Sequence, residues 1–216
     1  AGAKVAVAGR RAKKLEEVAA DAPEGSVIRC KPADVADRES LASLFSWFDE
    51  EMGALDILVN AAGINVPKRT MPELSTEDWD AVIQVNLTGA YDCLRFALER
   101  MRPKKDGLVV MINSVSGKRS NPVGGVAYNA SKFGMTGLGS CVAEEERENG
   151  IRITNVFPGE VNTPILDQRP VPPSTEHRAG ILQPQDIAEA VMMLAKLHPR
   201  AHIPELVIKP TSQSYV

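Results

Sequence analysis

Leu55-Asp56-Ile57-Leu58-Val59-Asn60-Ala61-Ala62-Gly63 is the stretch whose reading decides the fold. A short, mostly apolar run that stops in small and polar residues describes a parallel strand buried on both faces. Its carboxyl end opens onto something other than core. Directly upstream, Asp37 is placed to cap a helix carrying Leu41, Leu44, Phe45 and Phe48 at helical spacing. Downstream, Ser75 or Thr76 opens a long helix toward Met101, with Trp79, Val82, Ile83, Leu94 and Leu98 toward the core. Pro103 to Gly107 stop it.

The same grammar extends outward in both directions. Toward the start, Val5-Ala6-Val7-Ala8 closed by Gly9 is a strand, Ala12 to Ala20 a helix, and Val27-Ile28 lead a strand ending near Asp34-Val35. Toward the end, Leu108-Val109-Val110-Met111-Ile112 is a strand followed by Asn113-Ser114-Val115-Ser116-Gly117. A helix then runs from Tyr128 to about Asn149, and Ile151 to Phe157 form a strand closed by Pro158-Gly159. A Pro-rich stretch spans Thr163 to Thr175, a helix starts at Pro184 and runs to about Leu197, and Leu206-Val207-Ile208 is a final strand. Alternating strands and helices imply an α/β fold, a doubly wound parallel sheet with helices on both faces. With no internal repeat or linker, residues 1–216 read as a single domain. Such sheets bind ligands beyond the carboxyl ends of their strands. The residues there are Gly9-Arg10, Asp34, Asn60 to Gly63, Ser114 and Pro158-Gly159.

Composition excludes several classes of function. Lys and Arg number 25 against 28 Asp and Glu, a net charge of −3 without a long basic run, so nucleic acid and anionic membrane are poor partners. No apolar run approaches the ~18 residues of a membrane helix, and no signal peptide is evident. Cys30, Cys93 and Cys141 stand far apart, as reduced thiols of a cytoplasmic protein do. His177, His198 and His202 lack carboxylate or thiol neighbours at ligand spacing, so no metal site is expected.

The chemistry centres on Tyr128-Asn129-Ala130-Ser131-Lys132. Residues four apart share one helix face, so an ammonium stands near a phenol. A positive charge there favours phenolate and eases proton transfer at the ring oxygen.

Taken in order, Asp34-Val35, Asn60-Ala61-Ala62-Gly63, Asn86, Ser114, Tyr128 to Lys132, and Pro158-Gly159 with Thr163 resemble the short-chain dehydrogenase/reductase family over essentially the whole chain. The resemblance implies a Rossmann-like sheet that binds a nicotinamide dinucleotide and interconverts a carbonyl and an alcohol. It implies that Tyr128 is the general acid/base, that Ser114 hydrogen-bonds the reacting oxygen, and that Lys132 lowers the tyrosine pKa and binds ribose hydroxyls. Asn86 would hold Lys132 through a water. The framework Ile112-Asn113-Ser114-Val115-Ser116-Gly117 selects Ser114 over Ser116, which remains a lining residue of the substrate site.

By the same resemblance, Asp34 would meet the adenine amino group and Val35 the ring. Asn60, Ala61 and Gly63 would let backbone approach the cofactor, and Pro158, Gly159 and Thr163 would lie along the nicotinamide. An acid at the end of the strand after the family's glycine-rich turn selects NAD. Here Gly9 is followed by Arg10 and Arg11, two guanidiniums suited to a 2′-phosphate, so NADP is expected before NAD. The family's glycine-rich turn is absent from these residues, which suggests a missing first βα unit of roughly 30 residues before Ala1. Three functions therefore stand open. One is an NADP-dependent oxidoreductase of a small carbonyl or alcohol, a homodimer or homotetramer paired through the helices from Thr76 and Tyr128. The others are a non-enzymatic dinucleotide sensor or scaffold and a cofactor-incompetent fragment.

Overall fold

The structure, a computed structural model, describes residues 2–214. Ala1, behind which a further βα unit was expected, lies outside them. Six strands alternate with helices: β1 (Lys4–Gly9), β2 (Val27–Pro32), β3 (Ile57–Asn60), β4 (Gly107–Ile112), β5 (Ile151–Pro158) and β6 (Glu205–Ile208). The helices are α1 (Ala12–Ala20), α2 (Arg38–Met52), α3 (Thr76–Ile83), α4 (Gly89–Met101), α5 (Val126–Glu145), α6 (Thr175–Ala179) and α7 (Pro184–Lys196). Every ladder is parallel: β1 pairs with β2, and β3-β4-β5-β6 lie side by side in that order. Among the described residues no ladder joins β1 to β3. Val5 and Val27 of the first pair, and Ile57 and Val59 of β3, are exposed.

The alternation along β4 shows why helices cover both faces. Val109 and Met111 pack with Leu94, Met101 of α4 and Met135 of α5, while Leu108 and Val110 pack with Leu194 of α7. Successive side chains point to opposite faces, and both faces of β4 are buried. This is the doubly wound Rossmann-like arrangement the strand–helix alternation predicts.

Local signals account for the element ends. The Asp37 carboxylate accepts the Glu39 N–H at 2.9 Å, and Ser75 Oγ accepts the Asp78 N–H at 3.1 Å, so both expected caps form. The α5 helix ends at Glu145 and continues as a 3₁₀ turn, Arg147–Asn149, reversed by Gly150 at φ 69°. Glu146 at that corner is buried and held by Arg102 and Asn149, which keep its carboxyl below the usual range.

Two expectations change. The helix read as continuous from Thr76 to Met101 contains a π-helical turn, Gln84–Thr88, between α3 and α4. Trp79, read as core, is 37 % exposed. The reason is that α3 packs on α5 and on the loop after β3, in a small cluster of Val66, Val82 and Ala127, and not on the sheet. The Pro-rich stretch also carries structure, a 3₁₀ turn at Pro164–Gln168 and the short α6.

Candidate active site

Beyond the carboxyl ends of β3, β4 and β5 lies a cavity of about 990 Å³. It gathers much of the expected set: Ser114, Tyr128 and Lys132 line it, with Ala61 and Gly63 from the end of β3 and Arg11 from the end of β1. Pro158, Gly159 and Thr163 line it too. Arg10, Asp34, Val35, Asn60 and Asn86 are not among its lining residues.

Tyr128 lies in the first turn of α5, entered through Gly125 at φ 79°. Lys132 follows one turn later, 3 % exposed. Its ammonium donates to the Ile112 carbonyl at 3.1 Å, meets Met135 Sδ at 3.5 Å, and lies 5.7 Å from the centre of the Tyr128 ring. Desolvation pushes its pKa down to about 8. Burial pushes the Tyr128 phenol up, opposed by its hydrogen bond with Ser114 and by the positive charge of Arg69. Ser114 is an extended residue two positions beyond the end of β4, and its Oγ also accepts the Ser116 N–H at 3.1 Å. Ser116 Oγ instead accepts from Asn121 Nδ2 at 3.3 Å, which ties it to the following loop.

Asn86 occupies the π-helical turn and is fully buried. Its Oδ1 accepts the Ile64 N–H at 2.8 Å, and its Nδ2 donates to the Ile64 carbonyl at 3.0 Å and to Ser131 Oγ at 3.1 Å. It makes no direct bond to Lys132. The two converge on Gly63, where an added Cβ would stand 3.6 Å from Asn86 Oδ1 and 3.9 Å from Lys132 Nζ. A widened helical turn thus carries an amide that bonds the chain just after β3, and π-bulges are frequent at functional sites.

The remaining expected residues have mainly local partners. Asp34 accepts the Ala36 N–H at 3.0 Å in a turn, and Val35 packs against Gly89, where an added Cβ would come 2.8 Å from the Val35 carbonyl. Asn60 Nδ2 donates to the Ala90 carbonyl at 3.1 Å and fastens β3 to α4. Gly159 N–H donates to the Ile208 carbonyl at 2.7 Å, and Thr163 begins the 3₁₀ turn that continues the cavity wall. Arg10 and Arg11 are exposed at the start of α1.

Four charged residues of the cavity wall, Arg69, Arg119, Glu160 and Arg169, were not singled out from sequence. Arg69, in the loop after β3, is only 4 % exposed. It donates to the carbonyls of Val66 at 2.8 Å, Val123 at 3.0 Å and Gln168. Burial pulls its pKa down, as does neighbouring Arg169. Arg169 itself pairs with Glu160 at 3.0 Å, and Glu160 also meets His177 Nε2 at 2.5 Å. Next to Lys68 in a polar loop, Arg69 carries no sequence signal that separates it from a solvated cation. Only the fold shows it buried against three loops.

A model of the family described as short chain dehydrogenase matches residues 1–171. An uncharacterized oxidoreductase of Staphylococcus aureus is 30% identical over 209 residues, 97% of this chain and 87% of its own length. Farnesol dehydrogenase of Aedes aegypti is 31% identical over 228 residues, covering 100% of this chain and 89% of its own. Among solved structures, a serine dehydrogenase in a closed form complexed with NADP+ superposes with a TM-score of 0.88 at 26% identity, over 99% of this chain and 88% of that one. An alcohol dehydrogenase of the archaeon Thermococcus sibiricus complexed with 5-hydroxy-NADP gives a TM-score of 0.86 at 27% identity, over 98% of this chain and 87% of that one. With its parallel sheet, its Ser114–Tyr128–Lys132 cavity and these matches, the chain belongs to the short-chain dehydrogenase family and is an oxidoreductase.

Proposed function

We propose that residues 1–216 form one domain that interconverts a carbonyl and a secondary alcohol with NADP, using Tyr128 as acid/base. The observation that carries this is the convergence of the Tyr128 hydroxyl, the Ser114 hydroxyl and the Lys132 ammonium on one cavity at the strand ends. The donor set fits a nicotinamide dinucleotide at two points. Lys132 is a buried ammonium whose three N–H groups are met by one carbonyl and one thioether, which leaves a donor for a ribose diol. Arg11 brings a guanidinium to the cavity from the end of β1, and guanidinium suits phosphate. The NADP+ and 5-hydroxy-NADP held by the two structural relatives support the choice of NADP over NAD.

When bound, the nicotinamide supplies or accepts the hydride. In the reducing direction Tyr128 donates its phenolic proton to the carbonyl oxygen as that oxygen gains charge. Ser114 hydrogen-bonds the same oxygen and stabilises the developing anion. Lys132 holds a positive charge near the ring so that the departing proton leaves a stabilised phenolate. In the oxidising direction the phenolate takes the proton back from the alcohol. Asn86 positions the segment after β3 and, through Ser131, the helix that carries both Tyr128 and Lys132.

Of the remaining cofactor contacts, we assign Ala61, Gly63, Pro158, Gly159 and Thr163 to the cofactor on their place in the cavity wall. Tyr91 of α4 and Phe133 of α5 are exposed aromatics, which supports pairing of copies through these helices. Three free cysteines support a reducing, cytoplasmic setting. The test is to follow NADPH and NADH consumption with a panel of ketones and aldehydes. Turnover with NADPH supports the reading. A folded protein that turns over neither cofactor with any carbonyl contradicts it.

A further inference from the structure

The cavity is more basic than the protein around it. Among the described residues, Arg11, Arg69, Arg119, Lys132 and Arg169 line it, with one carboxylate, Glu160. The chain as a whole carries a net charge of −3. A cofactor phosphate accounts for Arg11, and Lys132 belongs to the proton chemistry. Neither accounts for Arg69, which reaches the cavity from the loop after β3, or for Arg169, which follows the 3₁₀ segment Pro164–Gln168 and is paired with Glu160.

Arg69 is the informative one. It is a buried full charge, and its hydrogen-bond partners are three neutral carbonyls from three different loops. No carboxylate of the described residues pairs with it. Glu160, the one acid among the described residues of the cavity wall, is taken by Arg169 and His177. Burying a guanidinium without an anion is costly, and carbonyl dipoles offset only part of that cost. Three of its five N–H groups are used, so two remain for a planar acceptor. Arg69 and Tyr128 line the same cavity, and the positive charge of Arg69 acts on the Tyr128 phenol.

We propose that the substrate is an oxo acid or hydroxy acid, whose carboxylate is received by Arg69 with Arg169 as the second cation. This rests on the reading of Tyr128 as acid/base and narrows its substrate class. The carboxylate completes the charge balance that the fold leaves open. It also fixes the neighbouring carbonyl between Ser114 and Tyr128, because a guanidinium fork and a carboxylate set each other's orientation. Arg169 is held at the cavity wall by its 3.0 Å pair with Glu160, which also meets His177.

Calorimetric titration of the protein with butyrate and with butyramide, in the presence of NADP+, tests the site without turnover. Butyrate is expected to bind at least about tenfold more tightly than butyramide, as one charge-assisted bidentate contact requires. Arg169→Gln, on a partly exposed side chain, is expected to narrow that gap several-fold. Arg69→Lys keeps the charge but loses the fork, and is expected to narrow it as well. Equal binding of butyrate and butyramide to the wild type overturns the proposal, as does an unchanged gap in both variants. Steady-state reduction of a 3-oxo acid against its methyl ester separates this from the parent reading. An ester reduced as well as the acid overturns the carboxylate site while leaving the reductase intact. Tight butyrate binding without any carbonyl reduction upholds the anion site and overturns the reaction.

Discussion

The Lys132 ammonium lies 5.7 Å from the centre of the Tyr128 ring, one helical turn along α5, and its oxygen partner is the Ile112 carbonyl at 3.1 Å. An amine so enclosed is protonated with difficulty, and its pKa falls from 10.5 to about 8. The folded state therefore binds fewer protons than the unfolded chain between pH 8 and 10.5, so this group's contribution to stability rises with pH across that window and is unfavourable below it. In the proposed mechanism the same ammonium assists proton transfer at Tyr128. Carbonyl reduction is thus expected to be level at neutral pH and to fall above about pH 8, as Lys132 loses its charge. Lys132→Met is expected to raise the melting temperature at pH 7 while lowering kcat by roughly 10²-fold or more. Thermal melts and a pH–rate profile check both. A variant that melts lower at pH 7 contradicts the assignment.

Asn86 should matter for stability before it matters for chemistry. Its amide closes both backbone groups of Ile64 and reaches Ser131. Asn86→Ala leaves buried polar groups unmet and is expected to cost about 1–3 kcal/mol. Denaturant unfolding measures this. A midpoint unchanged from wild type would show that the π-helical turn does not depend on the amide.

Gly125 should resist any side chain. It sits at φ 79°, and an added Cβ would stand 2.5 Å from Arg69 Cβ. Gly125→Ala meets backbone strain and a clash together, and roughly 1–3 kcal/mol of destabilisation is expected from the strained backbone alone. Because the displaced residue is Arg69, the variant should also weaken substrate binding, seen as a raised KM. Wild-type KM and melting temperature together would refute this.

Cofactor choice should follow Arg11. Arg11→Glu exchanges the cation proposed to bind phosphate for an acid able to accept ribose hydroxyls. The expected outcome is an apparent KM for NADPH raised about tenfold or more, with NADH favoured relative to it. Parallel assays with both cofactors decide this, and an unaltered NADPH preference would move phosphate recognition elsewhere.

Much of the architecture was legible because apolar runs in this chain stop in small or polar residues. Ile57–Asn60 and Gly107–Ile112 appear close to where their patterns place them, and Asp37 and Ser75 cap the helices they precede. What stayed hidden depends on contacts remote in sequence. The π-helical turn at Gln84–Thr88 interrupts a pattern that reads as one helix, because Asn86 is drawn toward Ile64. Trp79 reads as core by periodicity, yet α3 packs beside the sheet and leaves it exposed. Arg69 looks like any loop cation until three loops close over it. Of the residues singled out beforehand, Ser114, Tyr128 and Lys132 share the cavity, while Asn60 and Asp34 have partners in their own packing and turns.

The central claim is that the Tyr128 hydroxyl carries the proton. Tyr128→Phe removes one oxygen and keeps the ring against Lys132. Steady-state carbonyl reduction with NADPH, alongside NADPH binding followed by fluorescence, tests this most directly. Cofactor binding within a few-fold of wild type and a kcat lowered by about 10²–10⁴-fold are expected. A variant that reduces the carbonyl at the wild-type rate would contradict the claim.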